Sequence, residues 1–274
     1  MSSSWSSWVG FALDQNSRDK MEDVVDIQLF DGGGIFTVLD GHNGSLAVNF
    51  VAKNLPMNIL SKIGLGVSVE DALVVGFAEV EALLCEFLIR EEPVRLGCLD
   101  CGVPLLTSGV VVCVVVLVEQ RIFTAHVGDC RAIMSRNNFC PFQLTIDHNT
   151  CDESERNRIG ANLVSRDGYV QGLMVTRSLG NLTCNKNFEK CVGQISVPTC
   201  SEFERNLETD EFILMASDGL FEVFSNEAIV SLVRREMMRP SFSPTQVCQE
   251  LVKRGIARGS CDNICVCIIM LNRR

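Results

Sequence analysis

Gly109-Val-Val-Val-Cys-Val-Val-Val-Leu-Val118 runs into Glu119-Gln120, then Arg121-Ile-Phe-Thr-Ala-His-Val127, Gly128-Asp129 and Cys130-Arg-Ala-Ile-Met-Ser135. The first run carries no charge and is β-branched almost throughout, and it is too short for a membrane helix. It reads as a strand buried on both faces. The three runs together read as consecutive antiparallel strands joined by tight turns.

Outward from this block, residues 24–29 and 35–39 read as two further strands, with Asp31-Gly-Gly-Gly34 as their turn. A helix follows Gly44, with Leu46, Ala47, Phe50, Val51 and Leu55 at helical spacing, and Pro56 is expected to disturb or end it. Ser68 with Asp71 opens a second helix in an acidic variant of the capping box. Asp152 to Ile159 reads as a short helix, and Leu173 to Arg177 and Phe212 to Ser217 as strands. Ser225 and Ser243-Pro244-Thr245-Gln246 start two more helices, and Ile264 to Leu271 closes the chain as a strand. Strands and helices do not alternate strictly, so the order predicts an α+β fold of antiparallel sheets covered by helices. No repeat or linker divides the chain, and a single domain over 1–274 is expected.

The 274 residues are 47% hydrophobic and 21% charged, which suffices for a large core. A net charge of −10 argues against nucleic-acid binding, which needs clustered Lys and Arg. The opening Met1 to Gly10 has neither a basic nor an apolar leader region, and position 2 is Ser, so neither secretion nor myristoylation is expected. Many of the 14 cysteines, such as Cys113, Cys265 and Cys267, replace small apolar residues in strand-like runs. They suggest reduced thiols and an intracellular protein, cytoplasmic or nuclear. Cys98-Leu-Asp-Cys101 lacks a second ligand pair and is read as loop cysteines. Trp5 and Trp8 are expected to pack on the fold.

Four acidic clusters sit where apolar runs meet turns: Glu22-Asp23, Asp40-Gly41-His42, Asp218-Gly219 and Asp262-Asn263. A single Asp at such a place is ordinarily a turn former or helix cap. Four together suit a site at one end of a sheet stack, because carboxylates at the ends of buried strands are costly unless neutralised. Oxygen-only ligands point to a hard divalent cation such as Mg²⁺ or Mn²⁺, and so to a metal-dependent hydrolase.

These clusters carry a resemblance. Arg18-Asp-Lys-Met-Glu22-Asp23, Val38-Leu-Asp40-Gly41-His42-Asn-Gly44, Gly128-Asp129-Cys130-Arg131, Leu144-Thr-Ile-Asp147-His148, Thr176-Arg177-Ser-Leu-Gly180, Ala216-Ser-Asp218-Gly219 and Cys261-Asp262-Asn263 resemble, in family order, motifs of the metal-dependent Ser/Thr protein phosphatases, the protein phosphatase 2C family. The resemblance implies a four-layer αββα sandwich, two antiparallel β-sheets flanked by helices, with the metals at one end. It implies that Asp40 bridges two Mn²⁺ or Mg²⁺ ions, that Asp218 and Asp262 hold one, and that the Gly41 carbonyl holds the other with Glu22, directly or through water. Asp23 would hold metal-bound water or orient Arg18. A third, weaker ion would use Asp129, Asp218 and Glu222, although a hairpin turn alone also accounts for Asp129. A metal-bridging hydroxide would attack phosphorus in line without a phosphoenzyme, Arg18 would hold phosphate oxygens, and His42 would protonate the leaving oxygen. His126 and His148 are read as structural, and Arg131 and Arg177 as loop braces.

Phosphorylated proteins are the expected partners, with neither nucleic acid nor membrane, and the chain is expected to be a monomer. The rival reading is an inactive pseudophosphatase serving as a binding module, disfavoured because the metal-ligand positions are all present. Departures from the family pattern fall elsewhere: Val110-Val111, Cys130, Gly160-Ala161-Asn162, and Asn181 where an Asp is common. They bear on the substrate side and on loop bracing.

Overall fold

A computed structural model describes residues 8–96, 105–182, 189–239 and 241–272. Apart from 173–177, the predicted strands and helices occur, and the strands form two antiparallel sheets. Strands β1 (Val9–Asp14), β6 (Arg131–Arg136), β7 (Cys140–Gln143), β10 (Asp210–Ala216) and β11 (Ile264–Met270) form one sheet in the order β1-β11-β10-β6-β7. The other sheet runs β2 (Asp23–Phe30), β3 (Gly33–His42), β4 (Gly109–Val118), β5 (Arg121–Val127) and β9 (Thr199–Glu204), with the short β8 (Leu179–Gly180) also on β4.

Alternation sorts the side chains into layers. Along β4, Val110, Val112, Val114 and Val116 face α1 (Leu46–Gly64) and α2 (Val69–Leu96), while Val111, Cys113, Val115 and Leu117 face the opposite sheet. Across that gap stand Ile213 and Met215 of β10 and Cys265, Cys267 and Ile269 of β11. The outer face of their sheet, with Phe212, Leu214, Val266 and Ile268, packs against α5 (Asn226–Met237) and α6 (Pro244–Ala257). The result is the expected αββα sandwich. Its inter-sheet core uses cysteine as a small apolar residue, and Cys113, Cys265 and Cys267 are fully buried. Trp8 packs beside the α5–α6 layer, whereas Trp5, Cys98 and Cys101 lie outside the described residues. Among those residues, no helix is long and apolar enough to cross a membrane.

Several local expectations are corrected. Pro56 sits inside α1 without ending it, because Val51, Leu55 and Ile59 hold both sides of the proline on the sheet. Segment 130–135 does not continue the β4–β5 meander. It crosses to the other sheet and pairs with β10. Leu173 to Arg177 forms no strand, since Leu173, Val175 and Arg177 each bridge a different partner: Val170, Asn149 and Ile195. Ser243 precedes α6 without a side-chain capping bond, leaving Pro244 to set the start. Ser68 and Ser225 do cap as expected, each hydroxyl accepting a backbone N–H, from Asp71 and Ala228.

The irregular segment between β7 and β9 is tied down by Glu155 of α3 (Glu153–Ile159). Burial alone would raise this carboxyl, but hydrogen bonds from Arg177, Arg158 and Thr176 outweigh that and hold its pKa well below the usual range. Arg177 Nη2 and Thr176 Oγ1 both donate at 2.6 Å. Removing one partner of such a buried network strands the other charges. Glu155→Ala should therefore lower stability by about 3 kcal/mol in urea unfolding, and a loss under about 1 kcal/mol would show that the network is not a structural tie.

Candidate active site

The alternation that builds the inter-sheet core also places the carboxylates. Phe36 and Val38 of β3 face the gap between the sheets, so Asp40 two residues on faces it too. The sequence predicts a strand that ends at residue 39, with Asp40 just beyond it. In fact β3 continues through His42, with Asp40 opposite Val111 on β4 and opposite Asp23 on β2. On the other sheet, Ile213 and Met215 of β10 bring Ser217 into the same phase, and Asp218 opens the short helix α4 (Asp218–Phe221). Asp262 and Asn263 immediately precede β11, and Asp129 lies in the β5–β6 turn.

These ends meet around one cavity of about 630 Å³. Asp40, Gly41, His42, Asp129, Asp218 and Asp262 line it together with Arg18, Glu22 and Asn263. Two of the expected residues stand apart. Asp23 is buried behind the cavity, and Glu222 is exposed at the end of α4, where its N–H donates to Asp218 O at 2.8 Å. Among the described residues, no three His, Cys, Asp or Glu side chains stand within common metal-binding reach.

Hydrogen bonds fix the frame. Ser217 Oγ donates to Asp23 Oδ2 at 2.6 Å and accepts from Cys265 N at 3.1 Å, stitching the two sheets. Asp23 thus holds Ser217 rather than Arg18. Arg18 Nη2 instead pairs with Asp262 Oδ2 at 2.6 Å. Asn263 Oδ1 accepts from Glu22 N at 2.7 Å, and its amide donates to Gln15 O and Lys20 O. The β1–β2 loop is therefore anchored beside Asp262. Gly41 serves a close approach: a β-carbon there would press on Val48 and the Glu22 carbonyl.

The electrostatics are adverse. Burial, then Asp23, Asp218, Asp129 and Asp262, push the Asp40 carboxyl well above the usual range. Burial and the Asp218 and Asp147 charges do the same to Asp129. Burial, with Asp262 and Glu222 adding to it, lifts Asp218 to about 6. Burial lifts Asp23 to about 7 despite the Ser217 hydroxyl. Asp218 Oδ1 is buried with no hydrogen-bond partner.

His42 Nε2 lies 2.8 Å from Asn181 Oδ1, and burial lowers its pKa while the Asn181 contact opposes that. Asn181 Nδ2 donates to Ser178 Oγ at 2.6 Å. Gly109 makes the pairing possible, since a β-carbon there would overlap both Asn181 Oδ1 and His42 Nε2. Glu81 accepts from Gly180 N at 2.8 Å and from Lys190 at 2.6 Å, clamping the loop that presents Asn181. Sequence reading noted Asn181 only as a departure and missed its contact with His42. It also missed Ser217 and the role of Asn263, whose only sequence signal is adjacency to Asp218 and Asp262. His126 and His148 stack at 4.3 Å and bond to Ile146 O and Thr199 Oγ1, away from the cavity lining. Arg131 braces Asp147, and Arg177 braces Glu155, as expected.

The profile of the protein phosphatase 2C family matches residues 15–264, and the chain belongs to that family. Probable protein phosphatase 1N of Homo sapiens is 32% identical over 95% of this chain and 60% of its own length. The integrin-linked kinase-associated serine/threonine phosphatase 2C of Bos taurus is 31% identical, over 86% of this chain and 66% of its own length. A probable protein phosphatase 2C of Oryza sativa subsp. japonica is 28% identical over 85% of this chain, which spans 61% of that relative. In fold, the serine-threonine phosphatase 2C of Toxoplasma gondii superposes with a TM-score of 0.77 at 18% identity, over 98% of this chain and 96% of that one. A C. elegans sex determining protein superposes with a TM-score of 0.79 at 21% identity, over 98% of this chain and 66% of that one.

The raised carboxyls set a pH dependence. The Asp218 pKa is about 6 when folded, against about 4 unfolded. The folded state therefore binds the extra proton, and stability falls as pH rises through this window. In metal-free buffer, Asp218→Asn should melt above the wild type at pH 8 and no higher than it at pH 4. An equal offset at both pH values in thermal unfolding would contradict the repulsion.

Proposed function

We propose that this chain, a single catalytic domain over 1–274, hydrolyses phosphoserine and phosphothreonine in proteins, using divalent cations held by the cavity carboxylates. One observation carries the reading: Asp40, Asp129, Asp218 and Asp262 share a cavity with Arg18 and His42, in a chain of the protein phosphatase 2C family. The donor set fits a hard cation, being oxygen-only, buried and self-repelling, with one Asp218 oxygen lacking any partner.

In this reading Asp40, Asp218 and Asp262 would hold one Mn²⁺ or Mg²⁺ ion, and Asp40, the Gly41 carbonyl and Glu22 would hold another. Asp129 and Asp218 would hold a weaker third, for which Glu222, exposed at the end of α4, is the further candidate. When bound, the ions supply the charge that ionises an attacking water and offsets the phosphate, so no phosphoenzyme is needed. Arg18 engages Asp262 through Nη2, and the rest of its fork is available to phosphate oxygens. His42 gives a proton to the departing seryl or threonyl oxygen, with Asn181 fixing its ring. Every cysteine among the described residues is a free thiol, which supports placement in a reducing compartment, cytoplasm or nucleus.

Purified protein should dephosphorylate a phosphothreonine peptide and p-nitrophenyl phosphate with Mn²⁺ or Mg²⁺ and lose both activities in EDTA. Activity that persists in EDTA would overturn the metal role. His42→Ala should slow the peptide by roughly 10²–10⁴-fold and p-nitrophenyl phosphate, with its good leaving group, much less. Asn181→Ala should shift the same ratio in the same direction, and Asn181→Asp should restore it. Equal losses on both substrates would count against a proton-donating His42.

A further inference from the structure

The cavity has unlike walls. Arg18, Asp19 and Lys20 line it from the β1–β2 loop, and Tyr169, Leu173 and Met174 line it from the segment between β7 and β9. Apolar side chains left at the mouth of a carboxylate-lined cavity do nothing for the acidic floor, and large exposed apolar groups that are grouped together mark contact surfaces.

The apolar wall is held in place. Tyr169 and Met174 are 41% and 56% exposed, while the residues that follow them, Val170 and Val175, are 0% and 6% exposed. Val170 N donates to Leu173 O at 2.8 Å, and Leu173 N donates back to Val170 O at 3.1 Å, around a turn with Gln171 and Gly172 at φ 53° and 85°. Ser165 N donates to Tyr169 O at 2.9 Å. Val170 and Val175 thus act as buried hooks and Leu173 packs partly against the inter-sheet core, so the exposed Tyr169 and Met174, each next to a hook, are held at the cavity. A surface fixed in this way loses little entropy on binding. Tyr supplies a stiff face and Met an adaptable one.

We propose that Tyr169, Leu173 and Met174 form an apolar subsite that selects phosphoproteins bearing a large apolar side chain beside the phosphorylated residue. The proposal rests on the phosphatase reading above. The wall is continuous with the carboxylate cavity, so an extended chain with its phosphate over Asp40 and Asp218 lays a neighbouring side chain on it.

Two phosphothreonine peptides that differ only in carrying Leu or Ser at the flanking positions provide the test, with p-nitrophenyl phosphate reporting whether the site works at all. The wild type should favour the Leu peptide by about tenfold in kcat/KM, mainly through KM. The double variant Tyr169→Ser, Met174→Ser, with both positions exposed, should bring that ratio close to one. The ratio is taken within each enzyme, so a change in total activity does not affect it. Calorimetric binding of the same peptides carrying a non-hydrolysable phosphonate should show the same preference and the same loss. Turnover of p-nitrophenyl phosphate and both peptides without preference, or a preference that survives the double substitution, would overturn the subsite alone. Failure to turn over any of the three substrates with Mn²⁺ would overturn the phosphatase reading and the subsite with it.

Discussion

Asp23 and Asp40 stand directly opposite each other on neighbouring antiparallel strands, in a gap that is otherwise packed with Val, Phe, Met and Cys. Like charges across a ladder destabilise it, and here Asp129, Asp218 and Asp262 add to the repulsion. The rest of the site answers this constraint. Ser217 spends its hydroxyl on Asp23 and ties the second sheet to it. Asn263 holds the loop that carries Arg18 and Glu22, and Arg18 offsets Asp262. What is left over, chiefly around Asp40 and Asp218, is negative charge with an oxygen that has no partner. Buried carboxylates perturbed in this way are characteristic of functional sites.

The site borrows its precision from the sandwich. Each functional carboxylate on a strand continues the inter-sheet phase of that strand, so the packing of Phe36 and Val38 orients Asp40, and that of Ile213 and Met215 orients Ser217 just before Asp218. His42 is placed differently. Its ring is held from a loop by Asn181, that loop is clamped by Glu81 on α2, and Gly109 leaves the space in which the two side chains meet. A phosphate held over the carboxylates would therefore find a rigid floor, a loop-held histidine, and a side wall anchored by Val170 and Val175.

Much of this was legible in the sequence because it is local. The run 109–118 could hardly be anything but a buried strand, and Asp40, Asp218 and Asp262 sit in short motifs whose spacing needs no tertiary knowledge. The misreadings share a cause, which is pairing between distant residues. Nothing within 130–135 says that this segment leaves β5 for β10. β1 gains its place chiefly from β11 and α6, and Leu173, Val175 and Arg177 look strand-like until each is seen to take a different partner. Pro56 misled in the opposite direction, since a local helix breaker was overruled by packing on both sides. Asn181 drew attention as an unusual residue, but its partner 139 positions away could not be inferred from the chain alone.

Burial and mutual repulsion raise the carboxyls of Asp23, Asp40, Asp129 and Asp218, so a divalent cation bound among them should release protons. Calorimetric titration of metal-free protein with Mn²⁺ near pH 6, run in two buffers of different ionisation enthalpy, measures binding and proton release together. Two ions should bind per chain with net proton release, and the release should diminish as pH rises. Absence of Mn²⁺ binding, or binding without proton release near pH 6, would contradict this.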